Sequence, residues 1–348
     1  MSVGRFWLLR GISLFAAAGS LLAANALIAW LRATGWVDDY TYRVIMLCGI
    51  NILLAVSLNF INGITGQFSI GHAGFQGVGA YTSAAFTLAS IRWFQERGLA
   101  GTSLGDQILL ASAIVVGAVS AALAGLLVGI PSLRLRGDYL AIATLGFGEI
   151  IRVTILNIEA VGGARGLKDI PILTNFLWLY LVVFLLLALS RNLLVSVQGL
   201  GFLAVRDDEI VAEALGVNTT RLKVIAFVLG ACFAGIAGSL YAHFDGYLNP
   251  DNFRLEQSII ILTMVVLGGQ GSVTGSVLSA ILLTVVLEWL RFLPTITLGG
   301  RAFTPSELRM VFFSLMLILL MLWRPKGLLG QKEFGWMVLR QYWRLLRT

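Results

Sequence analysis

The sequence predicts an all-α protein that crosses a membrane many times, and three observations support that prediction. Of its 348 residues, 58% are hydrophobic and only 12% are Asp, Glu, Lys or Arg. Soluble domains carry about 25% charged residues, so this chain has too few charges to cover a water-facing surface. Its charges also lie between apolar runs that reach the length of about 20 residues a membrane helix needs. Such a composition excludes intrinsic disorder, and two cysteines are too few for a disulfide framework.

The apolar runs predict about eight to ten transmembrane helices. The first run, 11–31, starts like a signal peptide but continues past a possible cleavage site at 24–26, which favours an uncleaved helix. The runs 44–91 and 257–287 hold no charged residue, and each is long enough for two helices with a break between them. Single helices are predicted at 108–130, 139–158, 175–190, 222–242 and 310–323.

The distribution of basic residues favours cytoplasmic N- and C-termini. With the N-terminus inside, the inner loops hold 14 Lys or Arg and the outer loops hold 10, which follows the positive-inside rule. A transmembrane domain is predicted over residues 1–330. Trp, Leu and Arg recur at helical spacing in the remaining tail, 331–348. We expect this tail to form a basic amphipathic helix on the anionic inner membrane surface.

Glycines and polar side chains gather where the run 44–91 is expected to break. Backbone groups freed by glycine are tolerated at membrane depth only inside protein or beside a wet cavity. We therefore expect the stretch to line a translocation path, while Gly74, Gly77 and Gly79 are interpreted as helix-packing residues. A lone His is more often structural than a ligand, so no metal site is predicted. The candidate path residues here are Asn59, Asn62, Gly66, Gln67, Ser69, Gly71, His72 and Tyr81.

A second glycine break interrupts the run 257–287. The sequence GQGS at 269–272 repeats the Gly-Gln-x-Ser pattern of GQFS at 66–69. Paired interruptions in the two halves of a transporter often mark related elements beside the substrate path, although a four-residue match also arises by coincidence. The break adds Gly269, Gln270 and Ser272 to the candidate path.

One ion pair is predicted inside an apolar run. Glu149 and Arg152 are three residues apart, so their side chains can meet on one helix face. Ionisable groups within a membrane are functional candidates. Two interpretations stay open: a structural salt bridge, or a role in moving a proton or the substrate.

The loop 196–223 holds the densest charge cluster on the predicted cytoplasmic side. Asp207, Asp208 and Glu209 favour a helix N-terminus through the helix dipole, and Gly216 suits its end. A short amphipathic helix between two spans indicates a docking partner, whereas a plain solvated connector is the alternative. Its apolar stripe consists of Ile210, Val211, Ala214 and Leu215.

Several ordered motifs give the chain a resemblance, over about residues 40–330, to the LivM-type permease subunits of branched-chain amino acid ABC importers. No single glycine pattern is as specific as their combined order and spacing. The motifs are GQFSIGHAGF at 66–75, GVGAY at 77–81, GDYLAIATL at 137–145, GGARGL at 162–167, the loop 204–216, LGGQGS at 267–272 and RPKGL at 324–328.

The resemblance implies a type II-like importer bundle in the bacterial inner membrane. Its implied partners are two cytoplasmic ABC ATPases, a second, LivH-type permease and a periplasmic substrate-binding protein, besides membrane lipid. ATP and Mg would be bound by the ATPases, leaving this chain without a cofactor. The implied substrates are branched-chain amino acids or, alternatively, urea, amides or other small organic solutes. The ATPase-coupling residues carried over are Arg206, Asp207, Glu209, Ala212, Glu213 and Gly216.

Other functional classes find little support in the residues. A G-x-x-x-x-G-K-[ST] loop is absent, and no Ser-His-Asp set or Cys/His metal spacing occurs, so an enzyme is not predicted. The net charge of +7 is spread over loops, which argues against nucleic-acid binding. An ion-coupled secondary transporter would need a coupling-ion site. Glu149 is the best candidate for one, but its proximity to Arg152 argues against that role.

Overall fold

The structure is a computed structural model, and what it describes is almost entirely helical. The residues that it describes are 19–98, 101–132, 137–292, 296–298, 301–303, 315, 318–319, 322, 327–330 and 333. The predicted span 310–323 therefore lies outside the described residues apart from isolated positions, and so does the tail 331–348 apart from Glu333.

The α-helices of the described part follow one another with few connecting residues. They are α1 (Gly19–Ala33), α2 (Asp39–Asn59), α3 (His72–Glu96), α4 (Ser103–Ser132), α5 (Asp138–Asn157), α6 (Phe176–Val195), α7 (Val197–Asp207), α8 (Glu209–Ala214), α9 (Thr219–Asp245), α10 (Leu255–Gly268) and α11 (Val273–Trp289). A π-helical turn, Phe60–Ile64, extends α2. Short 3-10 turns lie at Glu159–Val161, Gly163–Arg165, Pro250–Phe253 and Leu290–Phe292, and strands β1 (Ile296–Leu298) and β2 (Arg301–Phe303) pair antiparallel.

Six helical segments of the described residues are long and apolar enough to cross a membrane. They are 39–64, 103–131, 139–157, 176–195, 219–245 and 273–292. The prediction of an all-α polytopic membrane protein is confirmed. In addition, α3 has 25 residues, a length of about 37 Å at 1.5 Å per residue. The total of eight to ten spans stays a prediction, because the first and last predicted spans are described only in part.

Polar side chains start several spans by accepting hydrogen bonds from the first helical turn. Asp38 accepts one from the backbone N–H of Thr41 at 3.2 Å. Hydrogen bonds from Thr41 also lower the pKa of the Asp38 carboxyl. Asn175 and Asn218 cap α6 and α9 in the same way. The helices thus begin at residues that satisfy otherwise unpaired backbone N–H groups.

The core forms where α9 packs against α2, α3 and α4, and small residues bring these helices together. A Cβ atom at Gly79 of α3 would lie 2.3 Å from the Cα atom of Gly235 of α9. A Cβ atom at Gly74 would lie 3.0 Å from the Cα atom of Gly148 of α5. Such close backbone approach is the packing role expected of small residues in membrane helices.

Within the described residues, four of the segments predicted to be cytoplasmic meet at one end of the bundle, namely 62–74, the loop 196–223, 269–274 and residues 327–330 of the tail. The end of α7 lies there against both interruptions of the charge-free runs, and residues 327–330 cover one of them. At the other end, Arg43 pairs with Asp245 at 2.7 Å. The relative placement of these segments agrees with the predicted topology, while the orientation of the bundle in the membrane stays a prediction.

Candidate functional site

The first glycine break is shorter than the stretch 62–74 expected from the sequence. The π-helical turn continues α2 through Ile64, and α3 begins at His72. Gly66 has a φ of +70°, in the left-handed region that favours glycine. A Cβ atom at Gly71 would lie 2.1 Å from the carbonyl oxygen of Thr144 in α5. Conformation at one position and close approach at the other therefore require glycine.

Side-chain hydrogen bonds hold the first break in place. Asn62 donates from Nδ2 to the carbonyl oxygen of Ser69 at 3.2 Å, and its Oδ1 accepts the N–H of Ser69 at 3.1 Å. The N–H of Ile70 donates to Oγ1 of Thr144 at 3.1 Å. The break is thus closed by its own chain and attached to α5, although nothing in the sequence had singled out Thr144.

Buried polar atoms that have no hydrogen-bond partner among the described residues concentrate around this break. Leaving a buried donor or acceptor unpaired costs about 1–3 kcal/mol, so such groups are rare unless they serve a function. The residues concerned are almost wholly buried, and the sequence had singled out four of the five as path candidates. The atoms in this region are Nδ2 of Asn59, Oε1 of Gln67, Oγ of Ser69, Nδ1 of His72 and Oε1 of Gln76.

Two further positions complete the account of this region. Gln76 was missed, although it stands four residues after His72, on the same helix face. Tyr81, a predicted path residue, is not brought to the break. Its hydroxyl donates to the carbonyl oxygen of Leu248 at 3.3 Å, and its ring packs edge-on against Phe253.

Nε2 of His72 lies 2.8 Å from Oγ of Ser57. Within the described residues, no group of His, Cys, Asp and Glu is arranged to hold a metal ion.

The second glycine break separates α10 from α11, as expected. Gly269 and Gly271 have φ values of +109° and +91°. Ser272 caps α11 by accepting the N–H of Gly275 at 3.0 Å. Gln270 is exposed, in contrast to the buried Gln67 of the matching motif.

Residues 327–330 and Glu333, which we call the clasp, close over the second break. A Cβ atom at Gly269 would lie 2.3 Å from the carbonyl oxygen of Gly330. The carboxylate of Glu333 accepts the N–H groups of Val273 and Thr274 at 2.6 and 3.1 Å. A carboxylate is stabilising at a helix N-terminus, so the clasp fixes the start of α11. Sequence reasoning missed Glu333 because it lies far along the chain from α11.

The second break touches the end of α2 and its π-helical turn, and both breaks touch the end of α7. Oδ1 of Asn59 accepts the N–H of Gly271 at 2.9 Å. A Cβ atom at Gly66 would lie 3.0 Å from Cγ of Arg206, and one at Gly271 would lie 3.1 Å from its Nη1. We call this meeting point, formed by Asn59, Gly63, Gly66, Arg206 and Gly271, the junction. The sequence predicted two similar breaks but not their contact with the end of α7.

A helix, α8, is present where the docking helix was predicted, and an unpredicted helix, α7, precedes it. The docking role of α8 stays a prediction. Phe202 and Val205 of α7 are buried in the bundle. Asp208 ends α7 and starts α8 by accepting the N–H groups of Ile210 and Val211 at 2.9 and 3.1 Å. Gly216 follows α8 with a φ of +82°. We call α7 and α8 together the arm.

The predicted coupling residues divide between two faces of the arm. Glu209 pairs with Lys223 of α9 at 2.5 Å, and Glu213 accepts the hydroxyl of Thr219 at 2.7 Å. Ala212 is buried beside them, and the Arg206 side chain is only 19% exposed. Asp207 is largely exposed. The apolar stripe also faces outward, with exposed fractions of 67% for Ile210, 52% for Val211 and 78% for Leu215.

Glu149 and Arg152 meet within α5 as their spacing predicted. Nε of Arg152 lies 2.8 Å from Oε2 of Glu149. Nη1 of Arg152 also lies 3.7 Å from Oδ1 of Asp251, which pairs with Arg254 at 2.8 Å. The pair therefore belongs to a network of four charges. Glu149 also borders a small cavity that is lined by Gly71, Gly74, Gly148 and Ser258 among others.

Comparison with known proteins places this arrangement in a transport context. A family model described as "Branched-chain amino acid transport system / permease component" matches residues 40–321. The LivM high-affinity branched-chain amino acid permease of Salmonella typhimurium is 37% identical over 87% of this chain and 72% of its own length. LivM of Escherichia coli is 35% identical over the same shares. LivH of Escherichia coli is 27% identical over 81% of this chain and 91% of its own length.

Proposed function

Because the chain belongs to the family of branched-chain amino acid transport system permease components, we propose that it is the membrane subunit of an ATP-driven importer of branched-chain amino acids. One observation carries the mechanism. A short helix with an exposed apolar stripe, α8, is joined through α7 to both breaks in the membrane helices. An exposed apolar stripe of this kind marks a docking surface for another protein.

The partners in this proposal are two cytoplasmic ABC ATPases, a second permease of the LivH type and a periplasmic substrate-binding protein. The ATPases bind and hydrolyse Mg-ATP, so this chain needs no cofactor. Similarity to both LivM and LivH proteins supports a pair of related permease chains. The protein would lie in the bacterial inner membrane, with α8 and both termini on the cytoplasmic side where the ATPases are.

ATP-driven closure of the ATPases would move α8, and the membrane helices would switch between outward- and inward-facing states. The first break suits the path of a zwitterionic solute. An ammonium group needs acceptors such as Oε1 of Gln67 and Oγ of Ser69, and a carboxylate needs donors such as Nδ2 of Asn59. These atoms are buried and find no hydrogen-bond partner in the part of the chain that the structure describes. They can therefore replace part of the hydration that a zwitterion loses on entering the membrane.

The test is uptake by the complete transporter in liposomes. The chain is reconstituted with its partner permease and ATPases, Mg-ATP is enclosed on the ATPase side, and the binding protein is added outside with labelled leucine, isoleucine or valine. We expect uptake that requires both ATP and the binding protein. Urea and acetamide serve as competing solutes. Uptake driven by a proton or sodium gradient without ATP, or transport of urea in preference to leucine, would overturn the proposal.

A further inference from the structure

We propose that Arg206 is the positioning residue that transmits movement of the arm to both glycine breaks at once. The inference rests on the proposed function, since it assigns how docking energy reaches the membrane helices. Resemblance had placed Arg206 among the residues that seat in the ATPase. In this chain its side chain is only 19% exposed and its guanidinium pairs with the exposed Asp207 at 2.9 Å, while the same side chain lies close to both breaks.

The side chain of Arg206 lies close to one glycine of each break. The Cα, Cβ and Cγ atoms of Arg206 would lie 3.0 to 3.5 Å from a Cβ atom at Gly66. Its Nη1 would lie 3.1 Å from a Cβ atom at Gly271. Arginine combines an apolar stem with a rigid charged head, so one side chain can pack against one backbone segment and reach a second. Both partners are glycines, which leaves room for this approach.

The arm connects the exposed stripe of α8 to Arg206 and to the bundle. The buried side chains of Phe202 and Val205 fix α7 against the bundle. Asp208 joins α7 directly to α8, and Glu209 ties α8 to Lys223 at the start of α9. A force on the exposed stripe of α8 therefore has a short path to Arg206, the second-last residue of α7.

The two breaks are the segments at which the membrane helices can bend most easily. Residues 65–71 and 269–272 lack the continuous hydrogen bonds of an α-helix. The second break is also attached to the helix that precedes the first, because Oδ1 of Asn59 at the end of α2 accepts the N–H of Gly271. Segments with fewer backbone hydrogen bonds open at lower free energy than helix interiors. Movement of Arg206 would therefore shift α2, α3, α10 and α11 together rather than one helix at a time.

The experiment compares uptake with ATP hydrolysis in the complete reconstituted transporter. Arg206→Ala removes both contacts, Arg206→Met keeps the stem on Gly66 but removes the head at Gly271, and Arg206→Lys restores a charge. Arg191→Ala, at an exposed position of α6, is the matched control. Coupling between sites typically amounts to about 5- to 150-fold, so we expect uptake per ATP hydrolysed to fall about tenfold or more in the Ala variant.

The full pattern distinguishes transmission from folding or docking. We expect normal recovery of the assembled complex and near-normal ATP hydrolysis for Arg206→Ala, a smaller loss for Arg206→Met, and partial rescue by Arg206→Lys. If Arg206→Ala does not assemble, Arg206→Met gives the decisive ratio. Unchanged uptake per ATP in the Met variant, or loss of ATPase association with an unchanged ratio, would overturn the inference. Failure of the wild-type complex to show ATP-driven uptake would instead overturn the proposed function.

Discussion

The two glycine breaks share the pattern Gly-Gln-x-Ser but differ in almost every contact. In the first, Gln67 is 4% exposed and Oγ of Ser69 has no hydrogen-bond partner among the described residues. In the second, Gln270 is exposed and Ser272 caps a helix. The first break is closed by its own Asn62. The second is closed from outside by the clasp. A short motif therefore sets where a helix breaks, while its surroundings decide what each residue of the break does.

This difference indicates that the two breaks have different functions. The first break holds the buried unpaired polar atoms that suit a solute path. The second break is packed against backbone on two sides, by the clasp and by the junction. We interpret the first break as the part that meets the solute and the second as the part that anchors the junction. Four predictions test this contrast, beginning with the largest expected effect.

Substitution of Gly71 should have the largest effect on stability. In Gly71→Ala the new Cβ atom would meet the carbonyl oxygen of Thr144 at 2.1 Å, and backbone cannot move aside easily. Overpacking typically costs about 1–3 kcal/mol and occasionally more. A backbone clash at this distance should lie at the upper end, so the thermal midpoint in detergent should fall sharply. Gly146→Ala in α5 is the control, because no atom lies within 4 Å of its new Cβ. Equal midpoints for the two variants would show that the first break is loosely packed.

The left-handed glycines of the two motifs should rank in a defined order. Gly269→Ala meets the carbonyl oxygen of Gly330 at 2.3 Å and also strains the backbone, at a cost of about 2–3 kcal/mol. Gly66→Ala meets the flexible stem of Arg206 at 3.0 Å and its Cα atom only at 3.3 Å, so about 1–2 kcal/mol is expected, chiefly from its φ. Thermal unfolding of both variants measures the order. If Gly66→Ala were the more destabilising variant, the contacts of the clasp would be easier to displace than those of the arm.

The matching glutamines should differ in transport. Gln67→Ala removes a buried acceptor from the proposed path, and loss of one such interaction of about 1.4 kcal/mol lowers uptake about tenfold. Gln270→Ala changes an exposed side chain and should lower uptake much less. Initial rates of leucine uptake by the reconstituted transporter compare the two. Equal losses would indicate that both breaks line the path as symmetrical halves.

Removal of the helix cap in the clasp should have the smallest effect. Glu333→Ala leaves the N–H groups of Val273 and Thr274 without their acceptor, and loss of a cap costs about 1 kcal/mol. Hydrogen exchange at these two amides should become faster, while exchange in the first break should stay as it is. The exchange rates at these amides in Glu333→Gln, which retains one oxygen acceptor, should lie between those of the Ala variant and the wild type. Unchanged exchange at Val273 in the Ala variant would contradict the capping role.

Parts of the fold and of the candidate site followed from the residues alone. The charge-free runs predicted the paired helices, and the glycines predicted both breaks. Lipid does not satisfy backbone groups freed from a helix, so a glycine-rich break has to lie inside the protein or beside a wet cavity. Asp208 and Gly216 bounded α8 as their chemistry predicts. The first break was expected at 62–74 but is shorter, since a π-helical turn keeps the backbone paired through Ile64. Helix α7 was missed because Gly199 and Gly201 weaken its helical pattern.

What only the tertiary structure decided is which segments touch. Arg206 lies 140 positions from Gly66 along the chain, and no local pattern encodes their contact. The low exposure of Arg206 and the attachment of Glu209 to Lys223 likewise depend on how α7, α8 and α9 pack. Hydrophobicity and glycine act locally, so the sequence by itself determined the helices and their breaks. Contacts between distant residues arise from packing of the whole bundle, so only the tertiary structure joined the breaks into one junction.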